Sequence, residues 1–502
     1  MTRFEPDECI CRANCSFYKP NRKEEERCRG YTLASVLSEF KPLTGLEKSS
    51  EAFDSLFLKS FLRSTVCEFC PFYIEGCDFT SDIPPEDCKP CGGLIVLSQA
   101  LQSGLIEKND LILAGCREIG PHAYLTLNEG SALKRLETPH IYNILQDELY
   151  EVNDEGFDFL KRCDGSQTVE ILAPDVEFLE FCVSEGLLDC SPAPRSRKMV
   201  SGSSPIPSLR YLEWLVTFRC NLKCAHCYLG EDQPQDFPEQ LIRPLLEEFS
   251  LMQGLRVLIS GGEPTLYRGF DSLNELAPDF PLRFVLLSNG MSIDDTLASR
   301  LKFQEVQISL DGMKKGHEII RGPGTFDRAL RAMQSVKNAG LDLSVATMIH
   351  SGNLGEWDEM SELLERLEVR EWSIDYPCVK GRLETRPDLA VSIEEAAEKM
   401  KYGFGGSYHG SSAGWTCGRH LVGVLPSGTV CRCGLYPEKA LGSIEDGLLN
   451  AWNRVEHIPI EATDCKACVE SDECGGGCRF RAGGPQQRDL VMCALYGQKT
   501  TL

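Results

Sequence analysis

The sequence predicts an α/β fold built round a parallel sheet, either doubly wound or an incomplete barrel. From Leu209 onward, six apolar runs of strand character alternate with helical patterns, an order that implies parallel crossover units. A Pro- and Ser-rich stretch, Ser191 to Ser208, sets this block apart from what precedes it. Cysteine, 25 in 502 residues, runs through the whole length and is not packed into a short secreted scaffold.

Residues 1–106 come first and hold nine cysteines, Cys9, Cys11, Cys15, Cys28, Cys67, Cys70, Cys77, Cys88 and Cys91. Their capacity as ligands is clear; the metal is open between zinc and iron. The opening ten residues carry Arg3, Glu5, Asp7 and Glu8 where a signal peptide needs an apolar core, so a reducing cytoplasm is expected. Clustered thiols there serve as metal ligands or redox groups more often than as disulfides. The longest uncharged stretch, Pro90 to Ile106, is broken by Gly92, Gly93, Ser98, Gln99, Gln102, Ser103 and Gly104, and reads as a turn with a short amphipathic helix, not as a membrane span.

Residues 107–190 read as a small mixed domain. Short alternating strands lie in AYLTL and HIYNILQDELYEV, and helices in GFDFLKRCDGSQTVEIL and DVEFLEFCVSEGLL, parted by a turn at Cys163-Asp164-Gly165. A short sheet followed by helices suggests a winged-helix shape. Residues 121–190 hold fifteen Asp and Glu against four Lys and Arg, and the whole chain 75 against 52, so a phosphate backbone would be repelled and nucleic acid is not the expected partner. The linker 191–208 follows.

Residues 209–400 carry the parallel sheet. Strands begin near Leu212, Leu255, Leu282, Phe303, Leu341 and Glu371; helical periodicity follows Pro238, Phe326 and Leu354. In either architecture the working residues sit just past the C-terminal ends of strands. The first strand runs into Cys220-x3-Cys224-x2-Cys227, three thiolates that can hold three irons of a [4Fe-4S] cube and leave the fourth open. A zinc knuckle short of one ligand has the same spacing. Gly261-Gly262-Glu263-Pro264 follows the second strand, Ser288-Asn289-Gly290 the third, and Ser309-Leu310-Asp311-Gly312 the fourth. One such loop is only a turn; four at successive strand ends make a site.

In these motifs, from residue 209 to about 380, the chain resembles the radical SAM superfamily, whose fold is a partial (β/α)6 barrel. The resemblance implies that Cys220, Cys224 and Cys227 ligate a [4Fe-4S] cluster whose open iron is chelated by S-adenosylmethionine. It also implies a reducing electron donor such as flavodoxin or ferredoxin. His226 falls where the family places an aromatic residue near adenine. Gly261, Gly262 and Glu263 match the motif that receives the methionyl amino group, and Ser288, Asn289, Ser309 and Asp311 match polar positions around ribose and carboxylate. Arg321 is expected as a carboxylate or substrate contact, or as a plain helix-surface residue.

In residues 401–502, Cys417-x10-Gly428-x4-Cys433, then Cys465-x2-Cys468-x5-Cys474-x3-Cys478 and Cys493, resemble the SPASM extension of such enzymes, a Cys-rich Fe-S domain. By that resemblance two auxiliary [4Fe-4S] clusters are implied, one on Cys465, Cys468, Cys474 and Cys493, the other on Cys417, Cys433 and Cys478. A fourth ligand for the latter would be Cys431, or the iron is open to substrate. Residues 107–190 resemble PqqD-like domains in the Cys163-Asp164-Gly165 turn and the closing EGLL, which implies recognition of a precursor peptide's leader by strand addition. The N-terminal cysteines faintly resemble zinc- or iron-chelating modules of the YkgJ type. Cys116, Cys163, Cys182, Cys190 and Cys378 stand singly in apolar contexts and are expected to be buried structural thiols. His350, just past the fifth strand, could face substrate or serve the structure. The function expected is radical modification of a ribosomally made peptide, by cross-linking or residue oxidation. The alternatives are maturation of a protein, synthesis of a small-molecule cofactor, or non-catalytic electron transfer.

Overall fold

The computed structural model describes residues 28–39, 91–199, 202–229, 234–405 and 414–498, with the single positions 41, 43, 62, 66, 67 and 70. Cys9, Cys11, Cys15, Cys77 and Cys88 lie outside the described residues. Contacts divide the chain into two compact units, Met1–Leu133 with Val152–Met199, and Lys134–Glu151 with Val200–Leu502. Among the described residues no helix is long and apolar enough to cross a membrane.

In the first unit, helices Arg29–Leu37, Gly92–Gln102 and Lys108–Ile119 share a core of Leu33, Leu37, Leu94, Leu97 and Leu111. The first two touch backbone to backbone: a Cβ on Gly93 would lie 2.4 Å from the Gly30 carbonyl carbon, and one on Gly30 2.8 Å from that of Gly93. Gly93→Ala forces the helices apart and is expected to lower stability by about 1–3 kcal/mol, read as a drop in the melting temperature of the apoprotein.

Strand Tyr124–Leu127 stands between Asp164–Thr168 and Leu188–Ser191, antiparallel to both. The helix expected through GFDFLKRCDGSQTVEIL is therefore interrupted. It spans Asp154–Arg162, and Asp164–Thr168 is a strand, because Gly165 takes φ 83° and its neighbours find sheet partners. Cys116 and Cys190, expected as free buried thiols, are joined in a disulfide.

The second unit is the parallel sheet. Its strands are β1 (Tyr211–Thr217), β2 (Arg256–Gly261), β3 (Arg283–Ser288), β4 (Glu305–Ser309), β5 (Asp342–Met348) and β6 (Glu371–Asp375). The spatial order β6-β5-β4-β3-β2-β1 follows the chain without a reversal, so the doubly wound alternative falls and the partial barrel stands. Helices Ile242–Leu251, Phe326–Asn338 and Trp357–Arg366 bury Leu246, Phe249, Met333, Val336, Met360 and Leu364 in the core shared with Ile259, Phe284, Ile308 and Val345. Beyond β1 the sheet continues into β7 (Leu421–Val424), parallel to β1, and then β8 (Thr429–Cys431) and β9 (Ala440–Ser443), antiparallel. The cysteine-rich C-terminal block thus starts as an extension of the barrel sheet.

Residues 134–151, expected within the small mixed domain, group with this second unit. Their strands Pro139–Asn143 and Glu148–Glu151 pair with His140 opposite Glu151, and the turn between them meets the N-terminal ends of the barrel strands. Arg283, fully buried at the start of β3, donates to the carbonyls of Ile144 (2.8 Å) and Leu145 (2.9 Å), to Glu305 (2.8 Å) at the start of β4, and to Asp342 at the start of β5. Arg256, at the start of β2, pairs with Asp147, which also accepts the Tyr142 hydroxyl at 2.5 Å. Lys134 Nζ donates to the carbonyls of Gly254 (2.6 Å) and Pro281 (2.9 Å). This end of the sheet is closed by charge pairs; the other end is left for chemistry.

Candidate functional site

At the C-terminal end of β1 the backbone leaves the sheet and three cysteines follow within eight residues. The loop is fastened on several sides. Thr217 Oγ1 and the Arg219 guanidinium both bond Asp236 (2.6 and 3.0 Å), the Ala225 N–H donates to the Ile320 carbonyl (2.8 Å), and the Arg382 N–H to the Cys227 carbonyl (3.0 Å). The end of β2 is stitched directly to it: Gly262 N–H donates to Thr217 O (2.8 Å) and Glu263 N–H to Arg219 O (2.7 Å). A Cβ on Gly261 or Gly262 would stand 2.2 or 2.3 Å from those same carbonyl oxygens, so only glycine permits the approach.

Glu263 is fully buried and its carboxylate is saturated. It accepts from Thr265 N–H (3.2 Å) and Oγ1 (2.7 Å), Ser288 Oγ (2.9 Å) and Asn289 N–H (2.8 Å). Burial raises its pKa, against the pull of these donors. Glu263 and Ser288, expected as ligand contacts, also bond each other, which locks the ends of β2 and β3 together. Asn289 reaches the cysteine loop, donating from Nδ2 to Asn221 Oδ1 (2.8 Å) and toward Cys220 Sγ (3.9 Å). Ser309 is half-buried at the end of β4.

Asp311 is the centre of a second network. One oxygen accepts from Arg321 Nε (2.6 Å), the other from Met348 N–H (2.8 Å). Its carbonyl meets His350 Nε2 (3.1 Å) and Asn353 Nδ2 (2.9 Å), and its N–H donates to His317 Nδ1 (3.1 Å). Burial opposes the Asp311 charge, but Arg321, His226 and His317 outweigh it and hold the carboxyl below its usual range. Arg321 is thus no surface residue: its Nη1 also points at Cys224 Sγ, 3.9 Å away. His350 is fully buried, with Nε2 on the Asp311 carbonyl. Sequence reasoning did not assign Thr265, His317 or Asn353 to the site. Their signal was only adjacency, Thr265 following the Gly-Gly-Glu-Pro motif and His317 standing four residues before Arg321.

The donor set fits a [4Fe-4S] cluster with an open iron. Cys220, Cys224 and Cys227 lie in mutual electrostatic range, and N–H donors from Leu222, Asn289 and Arg321 face two of the sulfurs as they would face bound thiolates. Beside them His226 Nδ1 is buried with no partner among the described residues, and burial pushes that imidazole down to about 4, so it is neutral at pH 7 and ready for a polar ligand.

The C-terminal cysteines converge in two groups. Cys465, Cys468, Cys474 and Cys493 are electrostatic neighbours, with Cys468 N–H closing a turn on Cys465 O at 2.9 Å. Cys417, Cys433 and Cys478 form the other group. Cys431 neighbours Cys433 too, but its thiol donates to the carbonyls of Gly423 (3.6 Å) and Cys433 (3.3 Å) and packs with Leu215 and Leu425. Among the described residues no three metal-binding side chains surround a point as a single ion requires; a cube spreads its thiolates over separate irons. Glu213, on β1, accepts the Gly434 N–H at 2.8 Å, beside Cys433. In the first unit, Cys28 and Cys91 cap the two helices that meet at Gly30 and Gly93, and their thiols hydrogen-bond each other; Cys67 neighbours Cys91, and Cys70 neighbours Arg29.

Residues 214–364 match the family described as the radical SAM superfamily. The mycofactocin maturase MftC of Mycolicibacterium smegmatis is 28% identical over 315 residues, 55% of this chain and 80% of that protein. An AdoMet-dependent heme synthase of Nitratidesulfovibrio vulgaris is 29% identical over 352 residues, covering 59% of this chain and 95% of its own. The crystal structure of Streptococcus suis SuiB bound to precursor peptide SuiA superposes on 74% of this chain and 99% of its own with a TM-score of 0.55 at 15% identity, a likeness of fold. With a cysteine triplet at the end of β1 and a Gly-Gly-Glu turn bonded to it from β2, the chain contains a domain, residues 214–364, that matches the radical SAM superfamily.

Proposed function

We propose that this enzyme modifies a ribosomally made precursor peptide, held by the first unit and acted on at the open end of the barrel. The observation that carries the reading is the small antiparallel sheet of the first unit, in a chain whose barrel is similar to a mycofactocin maturase. At one edge of that sheet, Asp164–Thr168, the chain's own Arg195 and Arg197 N–H groups already donate to the carbonyls of Gly165 (3.1 Å) and Asp164 (2.8 Å). The leader therefore adds at the other edge, Leu188–Ser191.

Cys220, Cys224 and Cys227 hold the radical cluster, while His226, Gly261, Gly262, Asn289, Ser309, Asp311 and Arg321 surround S-adenosylmethionine. Cluster and cosubstrate, when bound and reduced, supply a 5′-deoxyadenosyl radical that takes a hydrogen atom from substrate. The protein's part is positional. Glu263 holds two strand ends in register, Arg321 brings positive charge to a thiolate, and Asp311 fixes Arg321. Cys465, Cys468, Cys474 and Cys493 hold one auxiliary [4Fe-4S] cluster, and Cys417, Cys433 and Cys478 supply the other. Cys28, Cys67, Cys70 and Cys91 hold a further zinc or iron centre. Electrons come from a small reducing carrier such as flavodoxin or ferredoxin.

The heme synthase relative supports a second reading, a small-molecule tetrapyrrole substrate. Anaerobically reconstituted enzyme, given S-adenosylmethionine, dithionite and the short peptide encoded beside its gene, is expected to form 5′-deoxyadenosine and a peptide of altered mass. Turnover with an iron porphyrin and none with the peptide would replace the first reading by the second. Substitutions on Leu188–Ser191 are the cleaner probe of leader binding. Deleting 107–190 would also remove the turn whose carbonyls satisfy Arg283.

A further inference from the structure

The loop after β6 brings a cysteine that the spacing pattern of the C-terminal block does not contain. Cys378 stands three residues past the end of the strand, and two sets of contacts fasten its segment to the Cys417 group. On one side Arg481 bonds Asp375 and the Tyr376 carbonyl (3.3 Å), while also gripping Asp489 (2.9 and 3.0 Å), whose carboxylate accepts the Cys478 N–H at 2.9 Å. On the other, Lys380 Nζ donates to the Leu435 carbonyl (2.8 Å), two residues past Cys433, and lies over the Phe480 ring at 5.1 Å. Between these ties the thiols of Cys378 and Cys478 are close neighbours. The Arg479 N–H in turn donates to Cys417 Sγ at 3.4 Å. Cys431, nearer in sequence to Cys433, spends its thiol on two backbone carbonyls in an apolar cluster.

We infer that Cys378 is the fourth protein ligand of the auxiliary cluster held by Cys417, Cys433 and Cys478. The inference rests on the reading that those three cysteines hold such a cluster. It adds that the cluster is closed: every iron has a thiolate from this chain, so no iron is free for a substrate thiolate, and the cluster passes electrons without binding the peptide. A ligand arriving from the end of a barrel strand also ties the cluster's position to the barrel.

The test uses the full chain with Cys220, Cys224 and Cys227 all changed to Ala, reconstituted anaerobically, so that the radical cluster does not contribute. Iron content and the electron paramagnetic resonance spectrum of the dithionite-reduced protein are read with and without cyanide. Added Cys378→Ala, or Cys378→Ser, is expected either to open one iron, seen as a cyanide-dependent shift absent from the parent, or to lose about four irons per chain. Added Cys431→Ala is expected to do neither. A cyanide shift already present in the parent, the same response in Cys431→Ala, or no response in both Cys378 variants overturns the inference. Cys417→Ala with Cys433→Ala serves as the control: no iron lost there means that the auxiliary cluster itself is absent, a failure distinct from a wrong fourth ligand.

Discussion

Changing Cys224 to Ser will abolish formation of 5′-deoxyadenosine and remove about four irons per chain. Cys224 is the most buried thiol of its triplet, and the Arg321 guanidinium is aimed at its sulfur. A hydroxyl at that position is a poor iron ligand and leaves two thiolates, too few to hold the cube. Without a cluster to supply the electron, only the uncatalysed reaction would remain, a fall of more than about 10⁶-fold on the scale of enzymatic accelerations. Product is counted by chromatography and iron by colorimetric assay on the same samples. A Cys224→Ser protein that retains a full complement of iron and more than a trace of product would remove the triplet from the reaction.

The largest effect on stability is expected far from that chemistry, at Arg283. Its five donors meet Glu305, Asp342 and two carbonyls in a site from which water is excluded. Arg283→Met fills similar volume but leaves Glu305 buried without its partner, and breaking a buried pair in this one-sided way costs about 3–5 kcal/mol. Arg283→Lys keeps the charge but not the fork, and is expected to recover only part of the loss. Urea denaturation followed by tryptophan fluorescence isolates the effect, because all five tryptophans, Trp214, Trp357, Trp372, Trp415 and Trp452, belong to the second unit. An unchanged midpoint in Arg283→Met would mean that the turn at Ile144 and Leu145 does not brace the sheet.

The strands of the barrel were legible because each carries a short run rich in apolar and β-branched residues, most nearly continuous in β2 and β3 and alternating in β4 and β6. The site was legible because its motifs recur at the same place, the strand end. What stayed hidden was contact at a distance. Nothing local in residues 134–151 says that their turn satisfies an arginine almost 140 positions later; alternation alone placed that hairpin with its sequence neighbours. The Asp164–Thr168 strand was read as a turn at Cys163-Asp164-Gly165 running into helix, because the Phe157–Leu160 pattern before it is helical and the sheet partners that override it lie in Tyr124–Leu127. Cys378 was read as a buried structural thiol for a similar reason. A spacing pattern orders ligands along the chain, whereas this thiol comes from another strand's end.

Glu213 links two cysteine loops through one strand. It sits seven residues before Cys220 on a strand whose neighbours fix it on both sides, and it holds the Gly434 N–H next to Cys433. One rigid strand therefore serves as a common anchor for two cysteine loops more than 200 residues apart. A substitution at Glu213 that frees the Gly434 N–H therefore acts on the Cys433 loop from within the strand that leads to Cys220.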